Sequence, residues 1–295
     1  MRIFVTGPTG FVGSAIVREL IGAGHQVLGL ARSDAGAASL ASAGADVHRG
    51  SLDDLDSLRN GAASADAVIH AGFNHDFKNY AAAAETDRLA IEALGAALGG
   101  SARPFIVTSG TALANPGGIA TEEDAVSSTF PRKSEQAAAA AAACGARVSV
   151  LRLPPSVHGD GDHGFVPQLI RLAREKGLSA YVEDGLNRWP AVHRLDAAHL
   201  YRLVLENGLD APRYHAVADE GVPFREIAQV IGRRLNIPVV SKSREEAAEH
   251  FGWFAHFAGL DCPASSTKTQ QQLGWRATQA ALIPDIDRPN YFEVN

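Results

Sequence analysis

Apolar and polar positions along this chain follow two alternating periods. Arg2-Ile-Phe-Val-Thr6 is a short continuous apolar run of the kind buried on both faces of a parallel sheet, and Ser14 to Ile21 repeats its apolar residues at helical spacing. Strand-like runs recur at His25–Ala31, Ala45–His48, Ala65–Ala71, Pro104–Thr108 and Arg147–Leu153. Between them Ala35–Ala43, Asp54–Asn60, Tyr80–Leu98 and Ser134–Cys144 carry helical patterns, the last two rich in alanine, the best helix former. Asp53 is expected at the N-cap or first turn of the Asp54–Asn60 helix. Strands alternating with helices at this spacing predict an α/β chain with a parallel, doubly wound sheet. Its crossovers should be right-handed and its ligand should lie at the carboxyl ends of the strands.

The rhythm changes at Pro154-Pro155. An amphipathic helix is expected over Phe165–Lys176, and Trp189–His193 is expected to return to the sheet. Asp196 is expected to cap a helix running to about Glu206. Pro223–Leu235, Arg244–Phe257 and Ser266–Leu273 also read as helices. The predicted organisation is a sheet domain over residues 1–155, rejoined by about 189–218. A smaller, mainly helical substrate lobe is expected from 156–188 and 219–295.

The first strand meets the first helix through Gly7-Pro-Thr-Gly10-Phe-Val-Gly13. Free amides at a helix start, together with the helix dipole, attract anions. Gly7 permits the tight turn, Gly10 lets backbone approach a pyrophosphate, and Gly13 lets helix and strand pack closely. Thr9, Phe11 and Val12 complete this predicted dinucleotide loop. Composition narrows the partners. Of 295 residues 46% are hydrophobic and 20% charged, and the net charge of -6 gives no basic surface for nucleic acid. No apolar run approaches the ~20 residues of a membrane span. The immediate start on a strand predicts a cytoplasmic protein without a leader. Cys144 and Cys262 are expected to stay reduced, and the eleven histidines show no spacing for a metal site.

Taken together, these segments resemble the short-chain dehydrogenase/reductase superfamily in its extended and atypical branches, of the epimerase/dehydratase and 3β-hydroxysteroid-dehydrogenase type. The resemblance rests on the glycine loop, Arg49-Gly-Ser-Leu-Asp53, His70-Ala-Gly72, Thr108-Ser-Gly-Thr111, Arg152-Leu-Pro-Pro-Ser-Val-His-Gly159, Trp189–Asp196 and Leu273-Gly-Trp-Arg276. It implies a Rossmann-type fold, a nicotinamide cofactor and a small-molecule substrate. By the same resemblance Leu52 contacts adenine, and Ala71 and Gly72 pass the cofactor. Many relatives dimerise through the helices after strands four and five, so the alanine-rich helices here allow a homodimer.

An acid about twenty residues past the glycine loop marks NAD binders of this fold. Here that place reads Ala31-Arg32-Ser33, a guanidinium and a hydroxyl suited to a 2′-phosphate, which points to NADP over NAD. Asp34 is the contrary datum. The resemblance implies a serine, tyrosine and lysine acting on a substrate oxygen. Ser109 takes the serine role, with Thr111 as a second hydroxyl. The Tyr-x-x-x-Lys motif is missing: Thr129-Phe-Pro-Arg-Lys-Ser-Glu135 supplies the pair in neither register. Arg132 and Lys133 are nearby cations that suit ribose, phosphate or an acidic substrate group. Asp87 stands where the superfamily carries an asparagine, to orient water or a neighbour, or else to pair with Arg88 or Arg103. His75, beside Asp76, is the candidate replacement acid. His193 is a weaker one, and His158 is expected to be structural. Tyr181, Trp189 and Phe165 are candidate pocket walls or core. The leading expectation is an NADP(H)-dependent oxidoreductase acting on a small carbonyl or alcohol. The alternatives are a sugar-nucleotide epimerase or dehydratase, using Arg171, Arg174 and Lys176 for phosphate, and a non-catalytic NADP-binding sensor.

Overall fold

The computed structural model describes all residues except 76–78, 115–116, 128, 209 and 294–295. The first half runs β1 (Arg2–Thr6), α1 (Phe11–Gly22), β2 (Gln26–Ala31), α2 (Asp34–Ser42), β3 (Asp46–Arg49), α3 (Leu55–Ala63), β4 (Ala67–His70), α4 (Tyr80–Leu98), β5 (Pro104–Gly110), α5 (Ser134–Ala143) and β6 (Arg147–Leu153). The second half runs β7 (Ser156–His158), α6 (Phe165–Lys176), β8 (Ser179–Val182), β9 (Arg188–His193), α7 (Arg194–Asn207), β10 (Arg213–His215), β11 (Asp219–Pro223), α8 (Phe224–Leu235), β12 (Val239–Lys242), α9 (Arg244–Phe251), α10 (Ala255–Ala258), α11 (Thr267–Leu273) and α12 (Leu282–Ile286).

A seven-stranded parallel sheet has the order β10-β6-β5-β4-β1-β2-β3. The inner strands β1, β2, β4 and β5 are built around buried apolar runs because both faces are covered. Ile3, Val5 and Ile106 pack with Ile16, Leu20, Tyr201 and Val204 of α1 and α7. On the other face Phe4, Phe105 and Val107 pack with Leu58, Leu94 and Ala138 of α3, α4 and α5. Each such fully buried large side chain contributes roughly 1.5–3 kcal/mol. The alanine runs let α4 and α5 approach closely: a Cβ on Gly95 would stand 2.5 Å from the Ala141 Cβ.

A further apolar cluster joins Val166, Leu169, Trp189, Phe224, Ile231, Phe254 and Ile286. Several expectations change here. Trp189–His193 does not return to the main sheet: β9 pairs with β7 and β11 in a separate three-stranded sheet, and β10 is the strand that joins β6. Two further strands, β8 and β12, pair in parallel beside the helices. His193, not Asp196, caps α7, its ring accepting from Leu195 N; the buried Asp196 carboxylate instead accepts from the Thr278 and Gln279 amides. Asp54 rather than Asp53 caps α3. The helix expected over Arg244–Phe257 breaks at Gly252, where φ is +56°. Cys144 and Cys262 are both free, and no helix among the described residues is long and apolar enough to cross a membrane.

Candidate active site

The carboxyl ends of β1 and β4 bring two turns together. Gly7 turns the chain at φ +66°, and a Cβ on it would stand 2.6 Å from Gly72 Cα, so the two turns touch backbone to backbone. A Cβ on Gly13 would lie 1.9 Å from the Gly7 carbonyl oxygen, and one on Gly72 would lie 3.1 Å from Leu52 Cδ2. No side chain caps α1, so the amides of its opening residues Phe11 and Val12 have no side-chain acceptor. Gly10 N donates back to Gly7 O at 3.1 Å, and Ala71 N to Thr6 O at 3.3 Å. A floor without Cβ atoms under an uncapped helix start fits the pyrophosphate of a dinucleotide. Thr9 lies at the exposed rim, beside Gly36 at the start of α2. Arg32 leaves β2 exposed, and Ser33 caps α2 by accepting from Gly36 N at 3.1 Å. Asp34, the contrary acid, is engaged by Arg49 of β3.

A chain of polar side chains runs beneath this floor. Gly72 N donates to the Thr6 hydroxyl at 3.2 Å, and that hydroxyl meets His70 Nδ1 at 2.8 Å. The imidazole proton then sits on Nε2, which points at Asp87 Oδ1 at 3.2 Å. The other Asp87 oxygen receives the Ser134 hydroxyl, which accepts from Arg132 Nε at 2.7 Å. Arg132 also donates from Nη2 to the Thr108 carbonyl at 3.0 Å, lies 3.7 Å from Asp87, and stacks 4.2 Å above the Phe73 ring. Burial by itself would raise the Asp87 pKa. The His70 hydrogen bond, the Arg132 charge and the Ser134 hydroxyl outweigh it and hold the carboxyl below the usual carboxylate range. Asp87 reaches this place because it shares the buried face of α4 with Ala83 and Ala84. It pairs with neither Arg88, which binds Glu85 and Glu92, nor Arg103, which holds the carbonyls of Ala62, Ala65 and Ala97.

Ser109 and Thr111 lie at the end of β5 with buried hydroxyls that have no partner. His75 stands exposed on the loop after β4, its ring edge-on to Phe73 at 5.1 Å. Desolvation, then the charges of Arg132 and His163, hold its pKa below the ordinary histidine value. Asp76 lies outside the described residues. Tyr80 opens α4 with its ring 5.9 Å from Phe73, and burial raises its phenol pKa. Sequence reasoning missed Thr6, His70 and Ser134 as links of one chain, and Tyr80 as a phenol within reach of the Arg132 charge. Trp189 is fully buried core, Phe165 packs among Trp189, Phe254 and Phe257, and Tyr181 lies against Gly185. No group of three or more metal-ligating side chains exists among the described residues.

The fold agrees with that of solved structures, and the family is shown by comparison with known sequences. Over 295 residues the chain is 52% identical to an uncharacterised protein of Schizosaccharomyces pombe, covering 99% of this chain and 100% of that one. It is 28% identical over 263 residues to a 2-alkyl-3-oxoalkanoate reductase of Stenotrophomonas maltophilia, covering 82% and 78%. A dTDP-glucose 4,6-dehydratase of Streptomyces venezuelae, solved with NAD bound, shares the fold at a TM-score of 0.79 and 21% identity, over 99% of this chain and 97% of that one. A UDP-glucose 4-epimerase of Thermotoga maritima shares it at a TM-score of 0.76 and 19% identity, over 99% and 98%. Residues 3–217 match the model of one family, and the chain belongs to it: the NAD-dependent epimerase/dehydratase family of nicotinamide-dependent enzymes.

Proposed function

We propose that this chain is an NADP(H)-dependent reductase of small carbonyl compounds. The observation that carries the reading is the pair of buried, unpartnered hydroxyls of Ser109 and Thr111, next to the Thr108 carbonyl that Arg132 holds. Such hydroxyls are preorganised donors for the oxygen of a carbonyl. A dinucleotide held on this floor would supply hydride chemistry at nicotinamide C4. Arg132, fixed by Ser134, Asp87 and Thr108, is the cation available for ribose or phosphate in place of the missing lysine. Arg32 and Ser33 favour a 2′-phosphate, with Asp34 turned to Arg49. The 28% identical reductase of Stenotrophomonas maltophilia supports a carbonyl substrate. The epimerase reading draws less support from α6, because Arg171 pairs with Gln168 and Glu175 and Arg174 with the Phe292 carbonyl.

The test follows loss of reduced nicotinamide absorbance with aldehydes, ketones and UDP-sugars. NADPH should bind at least about tenfold tighter than NADH, and Arg32→Ala should remove most of that ~1.4 kcal/mol preference. Ser109→Ala should lower kcat. Tighter NADH binding overturns the NADP assignment. Tight NADPH binding without turnover favours a sensor, and turnover of UDP-sugars alone favours the epimerase.

A further inference from the structure

Arg194 stands where a cation is disfavoured. It is the first residue of α7, at the positive end of that helix's dipole, with the His193 ring as the cap. A second helix start lies beside it. Arg194 Nη2 donates to Ser14 Oγ of α1 at 3.3 Å, Arg202 Nε donates to Glu19 at 2.7 Å, and His25 just past α1 meets Glu206 at 2.9 Å. These contacts rise together along both helices, so α1 and α7 run parallel and open at the same end. Burial, then the like charge of Arg18, hold the Arg194 pKa below the ordinary arginine value, with Asp160 opposing them. Among the described residues no carboxylate forms a salt bridge with Arg194. Asp160 gives it only a backbone carbonyl, 2.9 Å from Nη1, because the Asp160 carboxylate is held by Arg288 and Asn290 at 2.8 Å each.

The guanidinium is held against the glycine loop. Its Cζ lies 4.7 Å from the centroid of the Phe11 ring, and the His163 ring meets the same ring edge-on at 5.7 Å. Phe11 is the residue that opens α1 over the floor without Cβ atoms, and the Ser14 hydroxyl donates in turn to its carbonyl at 3.2 Å. The loop between β7 and α6 backs the arginine. Gly159 turns at φ +127°, and a Cβ there would stand 3.1 Å from Arg194 Cγ. Gly159 N donates to the Tyr291 hydroxyl at 2.9 Å, itself 3.0 Å from the Asp285 carboxylate that binds His158. The C-terminal segment thus fixes the loop, and the loop fixes the arginine.

A guanidinium beside two helix starts and without an ion-pair partner calls for an anion, and a pyrophosphate is the anion that the adjoining loop fits. We propose that Arg194 is a ligand of the dinucleotide's pyrophosphate, delivered to the glycine loop from the second half of the chain and held ready by residues 159–164. The proposal rests on the dinucleotide reading of that loop and is independent of the carbonyl reaction. Arg132 lies against the end of β5 and Arg194 against the start of α1, so the two cations serve different parts of the cofactor.

The experiment measures, by calorimetry, the binding of NADPH and of adenosine 2′-monophosphate, which has no pyrophosphate, to wild type, Arg194→Gln and Arg194→Lys. Arg194→Gln should weaken NADPH about 10- to 100-fold and leave adenosine 2′-monophosphate within about twofold of wild type. Arg194→Lys keeps the charge without the fork and should fall between the two. Hydrogen exchange of the wild type runs alongside: NADPH should slow the amides of residues 160–164, and adenosine 2′-monophosphate should not. Unchanged NADPH affinity in Arg194→Gln overturns the proposal, and so does an equal loss for both ligands, which marks a structural role. Where Arg194→Gln does not fold, unslowed exchange at 160–164 under saturating NADPH overturns it. A wild type that prefers NADH removes the NADP assignment alone, and the comparison is then read with NADH and adenosine. A wild type that binds neither dinucleotide fails the reading of the loop and takes the proposal with it.

Discussion

Asp87 shows how one residue commits a region. Its carboxylate is 1% exposed, yet it bonds His70 and Ser134 and lies beside Arg132. Asp87→Asn keeps the shape but leaves the Arg132 guanidinium without its counter-charge, and should cost about 1.5–3 kcal/mol near neutral pH. The sign with pH follows from the lowered folded-state pKa. The stabilisation is present above the ordinary aspartate value and is lost as pH falls through the lowered one, when the native carboxyl also takes a proton. Urea unfolding should therefore show a gap between wild type and variant that closes in acid. Asp87 and Arg132 stood out as candidates from residue order, but the links that join them to His70, Thr6 and Ser134 did not. His70 sits 64 residues from Thr6 and 17 from Asp87, and Asp87 sits 47 from Ser134, so only the fold brings them together. The glycine loop was legible, because the constraint on Gly7, Gly10 and Gly13 is local.

At the scale of elements, the contact of α4 with α5 is set by a missing side chain. Gly95→Val would drive a Cβ to 2.5 Å from Ala141 and wedge the helices apart. The expected cost is about 1–3 kcal/mol in urea unfolding, partly recovered when Ala141→Gly is added. Strands β1 to β6 of the main sheet could be read in advance, most of them because burial on both faces writes an apolar run, whereas the three-residue β10 carries no such run. β7, β8, β11 and β12 could not be read either. They hold three to five residues each, several polar, and owe their strand geometry to partners in small separate sheets. The misplacement of Trp189–His193 has the same origin: its apolar pattern fits a sheet, but pattern alone does not name which one.

Across the whole molecule, Asp196 joins distant parts of the chain. Its backbone carbonyl accepts from Trp275 Nε1 at 3.1 Å, and its carboxylate accepts from Thr278 N at 2.9 Å and Gln279 N at 3.1 Å. Asp196→Ala leaves both amides without their acceptor and should cost about 1–3 kcal/mol, with faster amide exchange at Thr278 and Gln279 as the specific readout. The apolar cluster beyond the main sheet draws on Val166–Ala191 and again on Phe224–Ile286, with α7 and β10 between. This interruption has a consequence for a nascent chain. The six strands from β1 to β6 leave the ribosome in one continuous piece and can pair as they appear. The apolar surface of Phe165, Leu169 and Trp189 has to wait for Phe224 to Ile286, an interval on the order of ten seconds at cellular elongation rates. For that time it is a surface for chaperones to cover, and the last quarter of the chain ends the wait.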